Sequence, residues 1–105
     1  MNMYKIEFYV PVDNLEEVKT EIFSAGAGHI GNYENCCWVS EGIGQFRPVD
    51  GSSPHIGELF KVEKVKEYKV ELVCRESAIE NVINALVESH PYETPAYQYW
   101  LINNK

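Results

Sequence analysis

Tyr4-Lys5-Ile6-Glu7-Phe8, near the start of the chain, returns as Tyr68-Lys69-Val70-Glu71-Leu72, an offset of 64 residues. Both stretches alternate apolar and charged side chains, the period of a half-buried β-strand. The correspondence continues without a gap as far as Gly26 and His90. Asp13 falls on Ser77, Leu15 on Ile79, Glu16 on Glu80, Val18 on Val82 and Ile22 on Leu86. In the first copy Leu15, Val18, Ile22 and Phe23 recur at helical spacing. In the second, Ile79, Val82, Ile83, Leu86 and Val87 do the same. Asp13 with Glu16, and Ser77 with Glu80, have the form of a capping box at a helix start. Pro11 stops the first strand, and Gly26 suits the left-handed position that ends a helix. A strand–helix unit therefore occurs twice.

Each unit needs a partner strand. Residues 35–41, rich in Trp and Val, supply one; residues 94–102, where Tyr97, Tyr99 and Leu101 alternate with Gln98 and Trp100, supply the other. Residues 58–66 alternate as well and extend the strand that contains Tyr68. The spacing predicts strands over 3–10, 35–41, 62–74 and 94–102, and helices over 14–25 and 78–89. The order is βαββαβ, an α+β ferredoxin-like sandwich with both helices on one sheet face. Leu15, Val18, Ile22, Ile79, Val82, Ile83 and Leu86 form the predicted core of the helix layer. Residues 103–105 are expected to be a frayed tail.

The chain has 105 residues, the size of one domain over 1–105. Its formal net charge of −7 argues against a nucleic-acid binder, which needs clustered Lys and Arg. No apolar run approaches the ~20 residues of a membrane span, and no signal-peptide core follows the first methionine. Three cysteines, two of them adjacent, make no disulfide framework and fit a reduced cytoplasmic setting.

All seven glycines lie between Gly26 and Gly57. Gly26, Gly28 and Gly31 spell G-x-G-x-x-G, but they follow a helix and precede a strand, the reverse of a dinucleotide fingerprint. That leaves a structural turn or a ligand-contacting loop whose amides can form an anion nest. Ser40 to Pro48 reads as a hairpin loop projecting Glu41, Gln45 and Arg47, a pattern shared by recognition loops and solvated ones. Ser40 has no evident His–Asp pair to make it a nucleophile. His29, Cys36, His55 and His90 are the candidate metal ligands, at spacings that match no standard zinc pattern. No tightly bound metal and no cofactor is expected. His90-Pro-Tyr-Glu-Thr-Pro95 joins the second helix to the last strand, stiffened by its two prolines.

His90-Pro-Tyr-Glu93 with Pro95 resembles a segment of the divalent-cation tolerance protein CutA, a ferredoxin-like trimer related in fold to the PII signalling proteins. A closer resemblance is to the CutA-like insert of the NIF-three-like family, also called GTP cyclohydrolase I type 2 homologues. Gly26-Ala-Gly-His-Ile-Gly-Asn-Tyr33, Ser40-Glu-Gly42, Gly44-Gln-Phe46, Gly51, Pro54, Ile56-Gly57 and His90-Pro-Tyr-Glu93 all have counterparts there. The resemblance implies a stand-alone CutA/PII-like domain, without the flanking domains that carry that family's dinuclear metal site and hydrolase chemistry. It implies a non-enzymatic oligomeric binding or regulatory module. The alternatives are a divalent metal-binding protein of CutA type and, last, a small hydrolase.

Assembly follows from the same picture. With two tryptophans and seven tyrosines, many on strands, the sheet face away from the helices is expected to be apolar and to need cover. Three-fold packing of sheets closes that face in the related folds, so a homo-oligomer is expected, a trimer or a hexamer of trimers. Gly26 aligns with His90, so Gly28-His29 and His90-Pro-Tyr-Glu93 are repeat-related turns. The expected site is a pocket at a subunit boundary lined by His29, Glu41, Gln45, Arg47, His90, Tyr92 and Glu93, suited to a small polar ligand or to a polar interface.

Overall fold

The computed structural model describes residues 2–103, so the expected tail falls at 104 and 105 outside the described residues. Strand β1 (Met3–Pro11) leads through a 3-10 turn (Val12–Asn14) into helix α1 (Leu15–Ser24). Strand β2 (Trp38–Phe46) and strand β3 (Glu63–Arg75) follow. A second 3-10 turn (Glu76–Ala78) opens helix α2 (Ile79–Ser89), and strand β4 (Tyr97–Ile102) closes the order βαββαβ. The four strands form one antiparallel sheet in the order β2-β3-β1-β4.

The repeat holds to the residue. Pro11 and Arg75 end their strands, and Leu15 and Ile79 begin their helices, each pair 64 residues apart. Even the entry dihedrals agree: Pro11 (−57°, 148°) with Arg75 (−67°, 146°), then Asn14 (−108°, 0°) with Ala78 (−109°, −7°). This tight entry displaces the expected capping boxes. The extended geometry of an N-cap falls at Pro11 and Arg75, while Asp13 and Ser77 already sit inside the 3-10 turns, and no side chain caps either helix.

Ile6, Phe8 and Val10 of β1, with Val70, Leu72 and Cys74 of β3, meet Val18 and Ile22 of α1 and Val82 and Leu86 of α2 in one core. Six of the seven expected helix residues are buried. Ile83 is half-buried at the core's edge, because α2 turns it toward the flank of the layer.

The face away from the helices differs from expectation. Register puts Tyr4, Tyr68, Tyr97 and Tyr99 on the helix side, beside Ile6, Phe8 and Val10. Tyr4 and Tyr99 pack edge to face at 5.7 Å. The opposite face carries Lys5, Glu7, Lys69 and Glu71 at its centre, linked as Lys5–Glu71 (3.5 Å) and Lys69–Glu7 (3.6 Å). Trp38 and Trp100 flank this checkerboard, in rows with Glu71 and Lys5. It is therefore a charge-balanced face with an aromatic margin, not an apolar one.

The other correction concerns residues 40–47. Ser40 to Phe46 belong to β2 and pair residue by residue with Glu63 to Lys69. Because β1 ends opposite Glu67, the pairs from Ile43–Lys66 to Phe46–Glu63 project past the body of the sheet as a two-stranded ribbon. Backbone hydrogen bonds hold this ribbon without help from the core, so Ile43 stays 76% exposed.

Candidate functional site

The ribbon and the turn after α2 border an open cavity of 660 Å³. Its floor is the helix-averted side of the sheet, where Tyr9, Ser40, Gly42, Gly44 and Lys69 share one face by register. Tyr92 and Glu93 form one wall, and the β2–β3 connection from Arg47 through Pro54, His55 and Ile56 folds over the other. Glu93 Oε2 accepts the backbone N–H of Ser53 at 2.9 Å, which ties that connection to the turn.

Glu67 is the centre of this arrangement. It is only 8% exposed although it is a carboxylate, and the Tyr92 hydroxyl donates to its Oε2 at 2.7 Å. The side chain fits because Gly44 lies beside it: a Cβ built on Gly44 overlaps Glu67 Oε1. Gly44 has no left-handed φ, so glycine stands there for space and not for conformation. Burial, together with the hydrogen bond and charge of Glu67, pushes the Tyr92 hydroxyl well above the usual phenol range.

His90 holds Tyr92 from behind. Its Nε2 lies 2.6 Å from the Tyr9 carbonyl, an acceptor, so Nε2 carries the proton and donates. Nδ1 then accepts the backbone N–H of Tyr92 at 3.1 Å. Burial lowers the histidine's pKa, against the opposing pull of the Tyr9 carbonyl and the Glu67 charge. With both ring nitrogens engaged, His90 is a neutral strut. The Phe46 and Tyr92 rings meet edge to face at 5.8 Å, and His55 lies 6.4 Å from Tyr92.

The expected site residues divide accordingly. Glu41, Gln45, Arg47, Tyr92 and Glu93 line this cavity, and His90 lies just beneath it. Glu41 is paired with Lys66 at 2.6 Å, and Arg47 lies 5.4 Å above the Phe60 ring. His29 is elsewhere. The loop that carries it is fixed by Gly28 N–H donating to the Val73 carbonyl and by Cys36 N–H donating to the Gly28 carbonyl. Val73 pairs with Lys5, four residues along β1 from the Tyr9 that His90 touches, about 13 Å of strand away. A Cβ at Gly28 would meet Phe23 and the Cys36 backbone, which accounts for that glycine by packing and left-handed φ alone. Among the described residues no three His, Cys, Asp or Glu side chains gather as a metal site.

Sequence reasoning passed over Glu67, named Gly44 and Phe46 only for the family resemblance, and took His55 only as a candidate metal ligand. A glutamate in an alternating strand reads as solvated. Only the register that sets Glu67 beside Gly44 reveals a carboxylate made to be covered.

Comparison with known proteins bears directly on this geometry. The chain is 47% identical over 96 residues to a Bacillus subtilis protein called GTP cyclohydrolase 1 type 2 homolog, and 39% identical over 104 residues to its Halalkalibacterium halodurans counterpart. The structure matches a Bacillus cereus protein related to NIF3 with a TM-score of 0.83 and 40% identity, over 98% of this chain and 26% of that one. Nearly the whole chain is thus similar to one segment of NIF3-related proteins. It spans about a quarter of its curated relatives, 26% of the B. subtilis protein and 28% of the H. halodurans one, while 91% and 99% of the chain itself is matched. The fold of this chain is also that of CutA from Archaeoglobus fulgidus (17% identity, TM-score 0.67, 100% of this chain and 87% of that one). B. subtilis GlnK shares it as well (18%, 0.64, 100% and 89%), so the architecture is CutA- and PII-like. A scan against models of protein families finds no match.

Proposed function

We propose that residues 1–105 form one CutA-like domain that acts in the cytoplasm as a non-enzymatic binding or regulatory module. It works as a homo-oligomer, a trimer or a hexamer of trimers, and takes a small polar ligand in the cavity beside the β2–β3 ribbon. The observation that carries this reading is the cavity itself. At 660 Å³ it has the size of ordinary small-molecule sites, with an apolar, aromatic lining and a few convergent polar groups. Glu41, Gln45, Arg47, Tyr92 and Glu93 are the ligand contacts, His90 positions Tyr92, and His29 joins only if a neighbouring subunit brings it.

A binding role suits the chemistry better than catalysis does. His90 has no free nitrogen to act as a base, and among the described residues no hydrogen bond joins Ser40, which lines the cavity, to a histidine. The balanced checkerboard with its flanking Trp38 and Trp100 offers the second copy both charges and aromatic area. The test has two arms. Light scattering at micromolar concentration should give a trimeric or hexameric mass. A thermal-shift screen of small polar metabolites should return compounds whose stabilisation is lost in Gln45→Ala and Arg47→Ala. A monomeric mass overturns the assembly, and a screen with no stabilising compound overturns the binding role.

A further inference from the structure

One carboxylate oxygen at the cavity has no donor among the described residues. Glu67 Oε2 is taken by the Tyr92 hydroxyl, but among the described residues Oε1 has no hydrogen-bond partner. No fully buried side-chain oxygen or nitrogen is left orphaned among those residues, so Oε1 is reached from the cavity that Glu67 lines. The remaining charges of the lining are committed elsewhere. Glu41 takes Lys66, Lys69 faces Glu7, Arg47 stacks on Phe60, and Glu93 holds Ser53 N–H. Glu67 is therefore the lining charge that is nine-tenths buried, set at the cavity floor with Tyr92 beside it, whereas the Arg47 guanidinium stands out on the connection against Phe60. A carboxylate oxygen that can be reached only from the cavity takes its donor from there, and a charged donor satisfies it best. Phe46 and Tyr92, at 5.8 Å, add the ring faces that attract a cation. The bare backbone at Gly42, where an added Cβ would meet nothing within 4 Å, leaves room for a flat body against the sheet.

We propose that the cavity selects a flat organic cation with N–H donors, of the amidinium or arylammonium class, seated with its charged nitrogen on Glu67 Oε1 and its ring beside Phe46 and Tyr92. This assignment rests on the binding-module reading and names the ligand class that the module takes.

Three isosteric probes test it: benzamidinium, benzamide and benzoate, each titrated into the full chain by calorimetry and by shifts of the Gly44 and Tyr92 amide signals. Benzamidinium should bind about tenfold more tightly than benzamide, the margin of a charge-assisted over a neutral hydrogen bond, and benzoate more weakly still. Glu67→Gln, which keeps the shape of the side chain, should bring benzamidinium and benzamide to equal affinity. Tyr92→Phe keeps the carboxylate and should retain the preference, so the comparison survives if Glu67→Gln fails to fold. Benzamide or benzoate binding the native chain as tightly as benzamidinium removes the cation assignment and leaves the binding role standing. Silence from all three probes, with other compounds stabilising the protein in the wider screen, removes the assignment in the same way. A preference that persists in Glu67→Gln overturns it too.

Discussion

Gly44→Ala and Gly42→Ala make the same chemical change two residues apart on one strand, and they should have opposite effects. Neither glycine has a left-handed φ, so the backbone accepts alanine at both. A Cβ at Gly42 meets nothing within 4 Å, and the substitution removes only the entropic cost of glycine in a strand, about 0.5–1 kcal/mol of stabilisation. A Cβ at Gly44 overlaps Glu67 Oε1, whose carboxylate must leave the position where it accepts from Tyr92. Leaving the Tyr92 hydroxyl without its charged partner costs about 2–3 kcal/mol, against the same small gain. The net effect is a loss of about 1–2 kcal/mol, or a melting temperature lower by roughly 5–10 °C for a chain of this size. Urea unfolding at neutral pH measures both variants. Repeating Gly44→Ala in a Glu67→Ala background closes a double-mutant cycle, and the coupling should exceed about 1 kcal/mol. If Gly44→Ala is as benign as Gly42→Ala, or equally costly without Glu67, the Gly44–Glu67–Tyr92 arrangement does not exist in solution.

Burial raises the Cys74 thiol to about 11, whereas Cys36 and Cys37 are half-exposed, so an aromatic disulfide reagent should label two thiols in the native chain and the third only on unfolding. Equal rates for all three refute this. His90 has its pKa lowered in the fold, so the unfolded chain binds more protons, and stability falls as pH drops from about 6.5. His90→Gln should flatten that part of the profile in urea midpoints measured against pH, and an unchanged slope counts against the neutral strut. Tyr92 has its pKa raised, so its contribution is complete below about pH 10 and lost above it, a loss that Tyr92→Phe should abolish. Lys69→Glu sets a third acid beside Glu7 and Glu71 and should shift the mass in light scattering toward monomer at low salt. An unaltered mass removes that face from the assembly.

The fold was legible because each half writes the same pattern twice. Ile6 and Phe8 against Val70 and Leu72, then Val18 and Ile22 against Val82 and Leu86, carry both periods. Two copies in one chain make coincidence improbable. The ribbon was not legible for a physical reason. Glu41 to Gln45 contribute nothing to the core, so burial imposes no alternation on them, and two glycines lower strand propensity further. What makes them a strand is the length of β3, which runs past β1 and offers its edge. A loop reading is what the local composition supports, and pairing at a distance overrules it.

The site was legible only in part, since Glu41, Gln45, Arg47, Tyr92 and Glu93 line one cavity while His29 lies apart from it. Alignment of Gly26 with His90 is correct, and it is the reason His29 and His90 do not meet within one chain. Strands β1 and β3 are antiparallel, so the two halves are related by a pseudo-two-fold axis, which sends equivalent turns to opposite ends of the sheet. The hydrogen bonds show the equivalence. Gly28 N–H donates to the Val73 carbonyl at one end, and His90 donates to the Tyr9 carbonyl at the other, with Val73 and Tyr9 themselves 64 residues apart. The turns differ in what they add to this shared anchor. After α1, Gly28 packs too tightly against Phe23 and Cys36 for any side chain. After α2, the same position is Tyr92, whose ring and hydroxyl reach Glu67 and close the cavity. The cavity arises where the two copies diverge, because identical turns supply a scaffold and only the departure from identity supplies a side chain for a ligand to touch.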